Sequence, residues 1–581
     1  MHLIAVLLCA ALVACSDSPP NTTTDAGGQR TDGAAGDGDG DGDGDGDGDG
    51  DGDGDGDGDG DGDGSPQGWQ PPLGIPVPEF GIQEAVPPPP DDWSAVVDSL
   101  FYVDNLHPQA TDDGNPQGTP SLPRLTVPRQ LAAGSSVYIA GGPYDQVGLD
   151  VTAAGSAESP VFITAVDPGK RPIVSPRASL QGSYLIVEYL DFAGPDAGVG
   201  VRTPSDHIVV RHSEVRDGEG GGSGLYTGRW NPEDDPASAE HVVFWDNYVH
   251  DNGDVLADFD EDHHAIAVGH HAAHVWILDN ELSRNSGDGL QVNAKKAYLT
   301  DTLHHVYAGR NEAHGNKQTG LWTKQAVDVV FSQNVIYDHR PSNSSGGAGI
   351  GVQYGPERVW ILFNEIHDCE MGITSSTNVG DEDGVAGTGQ DVYLIGNLIH
   401  GIHKQSGEAP GSNPWQAGAG IHFTDQDATK HVHFNTVHDT DVAFTYARGT
   451  GPVHLSNNLF TSSLGTHLRV ETAAAAAAST VDHVLFDAPA AIRWGDNATH
   501  DVAAFQAAFP QLCLQCRETS PGYVDPPADF SLDPDSPARD AGQSVDALSE
   551  FEARYGLSIA HDIGGLDRQL GEGPDLGAHE Q

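Results

Sequence analysis

Between Asp251 and His264 the chain carries six acids (Asp251, Asp254, Asp258, Asp260, Glu261 and Asp262) and no lysine or arginine. The sign then reverses. From Arg284 to Lys324 six bases (Arg284, Lys295, Lys296, Arg310, Lys317 and Lys324) face only Asp288, Asp301 and Glu312. An imidazole at His264, a carboxylate at Asp288 and an ammonium at Lys324 could hold a cation, bind an anionic ligand or move a proton. Lys324 is the candidate base, since like charge from Arg310 and Lys317 favours an uncharged amine. The rest of the chain makes this patch stand out. Net charge is −59, of which fourteen charges belong to the Asp-Gly array at 37–64, leaving a body still at −45. Such a body has no basic footprint for nucleic acid.

A repeat positions these residues. It reads V-x-ψ-x-x-N-x-ψ and recurs at HVVFWDNYV (241–249), HVWILDNEL (274–282) and RVWILFNEI (358–366). Its asparagines are Asn247, Asn280, Asn311, Asn334, Asn364, Asn397, Asn435 and Asn458, with Ser213 in the equivalent place before them. Their separations are 33, 31, 23, 30, 33, 38 and 23 residues, a fixed minimum coil with insertions at one corner. Period-two alternation puts each run on a strand, and only stacking of coils can bury its apolar face. The asparagines then form an amide ladder, and His241, His274 and His431 are turn residues at strand starts.

A second strand in each coil follows a glycine: GLYTG (224–228), AIAVG (265–269), GLQVN (289–293), GLWTK (320–324), GIGVQ (349–353) and GIHFT (420–424). Counting outward positions from the inward aliphatic places Tyr226, His264, Asp288, Gln291, Asn293, Trp322, Lys324, Gln353 and His422 on one face. That face is the candidate groove. Trp322 is suited to stacking on a sugar ring.

The repeat resembles that of right-handed parallel β-helix proteins, the class shared by polysaccharide lyases, some glycosidases and uronan epimerases. The ending DFSLDPDSPARDAG (529–542), DIGGLDR and DLGAHE is similar to endings common in that class. The resemblance covers roughly 100–581 and implies an all-β solenoid of three-strand coils with irregular N- and C-terminal caps. It implies a first cap and coils at 91–180, the β-helix at 181–510 and a C-terminal cap at 511–581. Lyases of this fold use a Lys or Arg base with Ca²⁺ held by carboxylates, and Lys324 with Asp260, Asp262 and Asp288 is similar to that arrangement. Tyr226, Gln291, Asn293, Trp322, Gln353, His422, Arg310 and Lys317 would then bind the substrate, an acidic polysaccharide cleaved by β-elimination. Epimerases carry an Asp-x-His element followed by a His-Asp-Asn-Gly-x-Asp-Gly turn. Asp262-His263-His264 and Asp288-Gly289 match parts of it, with Ser283-Arg284 in place of the His-Asp. A glycoside hydrolase and a non-catalytic glycan-binding or adhesion protein stay open as readings.

The N-terminal end reads as an address. Residues 3–14 are apolar, too short a run to span a bilayer as a mature helix. Leu12-Val13-Ala14-Cys15 is similar to a bacterial lipobox, which implies a lipoprotein-like signal at 1–15 cleaved before Cys15, a lipid on Cys15 as the new N-terminus and, with Ser16 following, the outer membrane. Residues 16–90, with the Asp-Gly array and a proline run, read as an extended tether. The folded part reads as a monomer touching the membrane only through that lipid. Cys513 and Cys516 are a CxxC with no second pair to complete a zinc site, which favours a disulfide.

Overall fold

Runs of three to seven residues with alternating apolar side chains cannot bury themselves, so each strand here is completed by the coil above and below it. The computed structural model describes residues 68–93, 98–145, 148–219, 222–231, 236–257, 261–341, 345–375, 391–404, 418–424, 428–496 and 498–581. Cys15, the Asp-Gly array and Asp260 lie outside the described residues. Within them the chain is a right-handed parallel β-helix, with parallel sheets of 26 and 13 strands.

The larger sheet is two columns of strands, joined by the long strands Ala178–Glu188 and Val199–Arg211 that run through both. The groove column includes Leu225–Thr227, Ile266–Gly269, Leu290–Asn293, Leu321–Lys324 and Ala348–Gln353. The second column includes Ala239–Trp245, Ala272–Leu278, Leu303–Gly309, Val327–Ser332 and Glu357–Leu362. Strands of two to five residues, such as Tyr248–His250 and Glu281–Ser283, stack into the 13-strand third sheet.

The interior is a set of aliphatic columns. Val242, Val275, Val306, Val329 and Val359 are in register on successive coils and fully buried. The column continues through Val392 to Lys430, whose buried ammonium lies 3.0 Å from the Tyr446 hydroxyl.

The turn into the third sheet carries the predicted ladder. Each asparagine donates its backbone N–H and its side-chain amide to Oδ1 of the next, at 2.8–3.0 Å from Asn247 to Asn458. The amide also donates to a carbonyl of the preceding coil, as from Asn311 to Ile277 O at 2.8 Å. Ser213 starts the ladder by donating its N–H to Asn247. A second ladder, five residues further along each coil, runs Asn252–Asn285–Asn316. Its next two places are His339, close to the Asn316 carbonyl, and the buried Cys369. A three-residue strand fixed at both ends by buried amides has little freedom in register.

Coils begin at Leu100, inside the span read as cap and first coils and already parallel to Ser136–Ala140, and run on past residue 510 to Arg517–Glu518. The C-terminal end of the interior is closed by helix Val502–Ala508, with Phe505 buried against Trp494, and Cys513 is bonded to Cys516 just beyond. Residues 529–581 do not cap that end. They turn back along the side of the solenoid, where Phe551 of helix Asp546–Tyr555 meets Trp360 and Tyr555 donates to Asp328. The tether also ends well before residue 90. From Trp69 to Pro87 the chain is a strap on the outer face of the second column. Trp69 donates to Asp279, Pro76 O accepts from Trp276, Gly81 O and Glu84 O accept from Arg211, and Pro87 O accepts from Tyr138. Ile75, Phe80 and Ile82 are buried there against Trp245, Trp276 and Tyr307. These aromatic residues face outward, and the strap hides them from water.

Candidate functional site

The pairing register gives the groove column two outward rows. One row runs Tyr226, Ala267, Gln291, Trp322, Gly351, and continues through Thr374 to His422. The other runs Gly269, Asn293, Lys324, Gln353. Strand pitch therefore sets Asn293, Lys324 and Gln353 side by side on three consecutive coils, about 5 Å apart.

Side-chain bonds knit this patch. Asp288 accepts from Gln291 Nε2 at 2.9 Å, and Gln291 Oε1 accepts from Asn293 Nδ2 at 3.2 Å. Trp322 donates its indole N–H to Gln353 at 3.1 Å. The ring lies flat over the next coil because Gly351 is there: a Cβ at that position would overlap it. Trp322 is thus held at two points and half exposed. Lys324 is half exposed between Asn293 and Gln353, and among the described residues it has no ion pair and no side-chain hydrogen bond. Along the edge of the patch Lys295 lies over the ring of Trp230, which is 38% exposed.

His264 and Asp288 are neighbours on adjacent coils, 3.4 Å from Nδ1 to Oδ2, but both are buried, at 4% and 3% exposure. They do not form an open groove floor. His264 Nδ1 accepts the backbone N–H of Asp288 at 2.9 Å, which puts the proton of a neutral ring on Nε2. A Cβ at Gly287 would collide with that same Nδ1, so the imidazole is a close-fitting support for the turn into Asp288.

Other expected members lie elsewhere. Arg310 sits at the asparagine corner, paired to Asp279 at 2.6 Å and under Trp69 of the strap. Lys317 is buried and donates to Ala257 O at 2.7 Å, pinning the preceding loop. Neither is brought beside Lys324 to favour its uncharged form. His422 is on the predicted row but fully buried, with Nδ1 3.3 Å from Thr374, and burial pushes its imidazole down to about 3. Tyr226 is half buried, two coils from Gln291 with Ala267 between.

Asp262 accepts from Gln318 at 2.9 Å, and Asp288 is engaged by Gln291. Calcium takes six to eight oxygens. Asp260, the third expected ligand, lies outside the described residues, and among those residues no group of carboxylates converges with Asp262 or Asp288. The groups of three ligand-type side chains whose donor atoms converge are His274–His304–His305 and Asp206–His207–His241, both on the second column.

No family model and no curated protein matches this chain. Solved structures do. One is a PL6 family alginate lyase, AlyGC, at 14% identity and TM-score 0.41, over 62% of this chain and 49% of that one. Pectate lyase Pel9A matches at 13% identity and TM-score 0.35, over 83% of this chain and 97% of that one. The A-module of the Azotobacter vinelandii mannuronan C-5 epimerase AlgE4 matches at 17% identity and TM-score 0.29, over 56% and 88%. The chain thus spans about half the length of AlyGC. Likeness this distant carries no argument about the site, whose reading rests on its own residues.

Sequence reasoning missed the second ladder, although the five-residue interval is written in DNYVHDN, DNELSRN and RNEAHGN. It also missed the Trp230–Lys295 contact, which depends on a chain excursion that no repeat predicts.

Proposed function

We propose that this face binds an acidic polysaccharide and cleaves it by β-elimination. The observation that supports this most is Lys324. In a chain of net charge −59, this ammonium stands half exposed with no carboxylate partner among the described residues, beside Trp322, Asn293 and Gln353. A half-exposed ammonium beside an indole and the half-exposed amide of Gln353 suits a sugar bearing a carboxylate: the amide for a hydroxyl, the indole for the ring, the ammonium for the charge in binding, while the buried Asn293 supports them from below. In the reaction Lys324 first gives up its own proton to solvent, and the free amine then takes the proton from C5. The C4–O bond breaks, its electrons leave on the glycosidic oxygen, and a C4=C5 double bond forms beside the carboxylate. Asp288 holds Gln291, and through it Asn293, in position. We further propose that the protein is exported and held at the outer membrane by a lipid on Cys15. No helix among the described residues is long and apolar enough to cross a membrane.

Incubation with alginate, pectate and glycosaminoglycans, followed by ultraviolet absorbance of the conjugated product, tests the chemistry. Absorbance should rise with one of them for the natural protein and stay flat for Lys324→Ala, while the variant's far-ultraviolet circular dichroism is unchanged. Full turnover in Lys324→Ala removes it as the base. Binding with no unsaturated product across the panel leaves a glycan-binding protein. Replacing Cys15 with Ala should shift the protein from the membrane to the soluble fraction, and unchanged fractionation would exclude the lipid.

A further inference from the structure

In the second column one residue of each coil turns into the left-handed region: His207 (φ 57°), His241 (52°), His274 (53°), His305 (55°) and then Asp328 (55°). Strand pairing skips it, so that Ala273 pairs with His304 and Val275 with Val306 while His274 and His305 face each other unpaired. This interruption breaks the usual alternation. His304 and His305, consecutive in sequence, are therefore both half exposed on the outer side instead of pointing to opposite faces.

Coil pitch then stacks the rings. Centroids are 4.4 Å apart for His207–His241, 5.1 Å for His241–His274 and 4.8 Å for His274–His305, with planes within 27° of parallel. His304 stands edge-on to both of its neighbours, at 88° to His274 and 83° to His305. Its Nδ1 is 2.8 Å from Nδ1 of His305, and donor atoms of all three rings lie within 4.8 Å of one another. Asp328, next in the column, is engaged by Arg358 and Tyr555, so the cluster has no carboxylate of its own in that direction.

We propose that His274, His304 and His305 form a binding site for a divalent transition-metal ion. Imidazole nitrogens prefer zinc, copper and nickel over calcium or magnesium. A tetrahedral zinc with bonds of about 2.0–2.1 Å places its ligand nitrogens about 3.3 Å apart. The His304–His305 pair opens by about half an ångström, with the ion replacing the proton between the two nitrogens, and His274 turns its donor nitrogen inward from within 4.8 Å of theirs. The stack supplies what a site needs beyond ligands, since His241 holds His274 from behind and the coil pitch fixes the spacing. Burial and the neighbouring imidazoles hold His274 down to about 4, so its ring is neutral at neutral pH. Three protein ligands leave a fourth position for water. The ion would tie two coils together on a face separate from the groove.

The test uses the full chain, stripped with a chelator and titrated with Co²⁺ in excess Ca²⁺ so that carboxylates are saturated. Visible absorption of nitrogen-ligated cobalt should saturate at one equivalent and be displaced by Zn²⁺. With 28 histidines in the chain, variants must locate it. His304→Ala and His274→Ala should each weaken Co²⁺ by about 100-fold or more, whereas His454→Ala leaves it unchanged. His304→Gln, which keeps a polar side chain at a half-exposed place, guards against a folding defect. Equal titration of His304→Gln and the natural protein overturns the site. So does loss of the signal only in His207→Gln, which would move binding to the neighbouring Asp206–His207–His241 group.

Discussion

Trp322 depends on what its neighbour lacks. The indole occupies the space a side chain at Gly351 would fill, so Gly351→Ala should tilt the ring off the face even though the strand backbone accepts alanine. Binding of an acidic oligosaccharide should weaken about 3–10-fold in Gly351→Ala and in Trp322→Ala alike, the worth of one aromatic contact. Calorimetry checks this, and unchanged affinity in both would take Trp322 out of the site. These residues were legible in the sequence because a glycine marks the start of most groove strands, with Ala265 in that place in one, and alternation then fixes the outward positions. Arg310 and Lys317 were misread for a physical reason. A run of bases in sequence is cut into coils by the fold, and each base meets the coil before it. Arg284 is neutralised by Asp251 and Arg310 by Asp279, so the apparent reversal of charge is largely cancelled by stacking. Lys324 escapes because its counterpart on the coil before is Asn293, and on the coil after, Gln353.

At the scale of elements, the ladders carry the coils. Asn311→Ala leaves the N–H and amide of Asn280 without their acceptor and the Ile277 carbonyl without its donor, all buried. A loss of about 3 kcal/mol or more in urea unfolding is expected, against little change for the half-exposed Gln353→Ala. The first ladder was readable because asparagine recurs beside a hydrophobic pattern. The second was not, because after Asn316 its places pass to His339 and Cys369 and the letter changes while the role persists. Histidines buried within the sheets set the response to acid. Burial pushes His422 and His433 each down to about 3, against an ordinary value of 6.5. Below about pH 6.5 the unfolded chain takes up protons that these rings refuse, and stability falls with pH at up to about 1.4 kcal/mol per unit for each histidine. Above that range their contribution is constant. Denaturation midpoints measured from pH 7 to 4 should fall, and His433→Gln should make the decline shallower. Equal slopes would mean that the ring charges freely in the folded protein.

On the scale of the whole molecule, the two ends of the chain share one face. Gly74 of the N-terminal strap lies against Ile559 and Phe551 of the returning C-terminal segment, and a side chain at Gly74 would strike both. Together they cover the outward aromatics of the second column and leave the groove column uncovered by either strap. Removing residues 1–67 should leave the melting temperature unaltered, since the Asp-Gly array has no apolar side chain to bury. Removing 1–87 should lower it, because burying Ile75, Phe80 and Ile82 is worth about 1.5–3 kcal/mol each. Equal melting of the two truncated forms would show that the strap contributes nothing.

The strap also imposes an order in time. Leu73 is hydrogen-bonded to Gln333 and Ser332, about 260 positions later in the chain. At synthesis rates of about 5–20 residues per second, the surface that receives it is finished roughly 10–50 s after the strap itself has been made. Phe80 can meet Tyr184 and His207 early, whereas Leu73 waits for Ser332 and Gln333. The first segment of the fold to be made is docked in steps from its far end, and the newborn chain must keep the apolar groups near Leu73 apart from others until coil 327–337 closes.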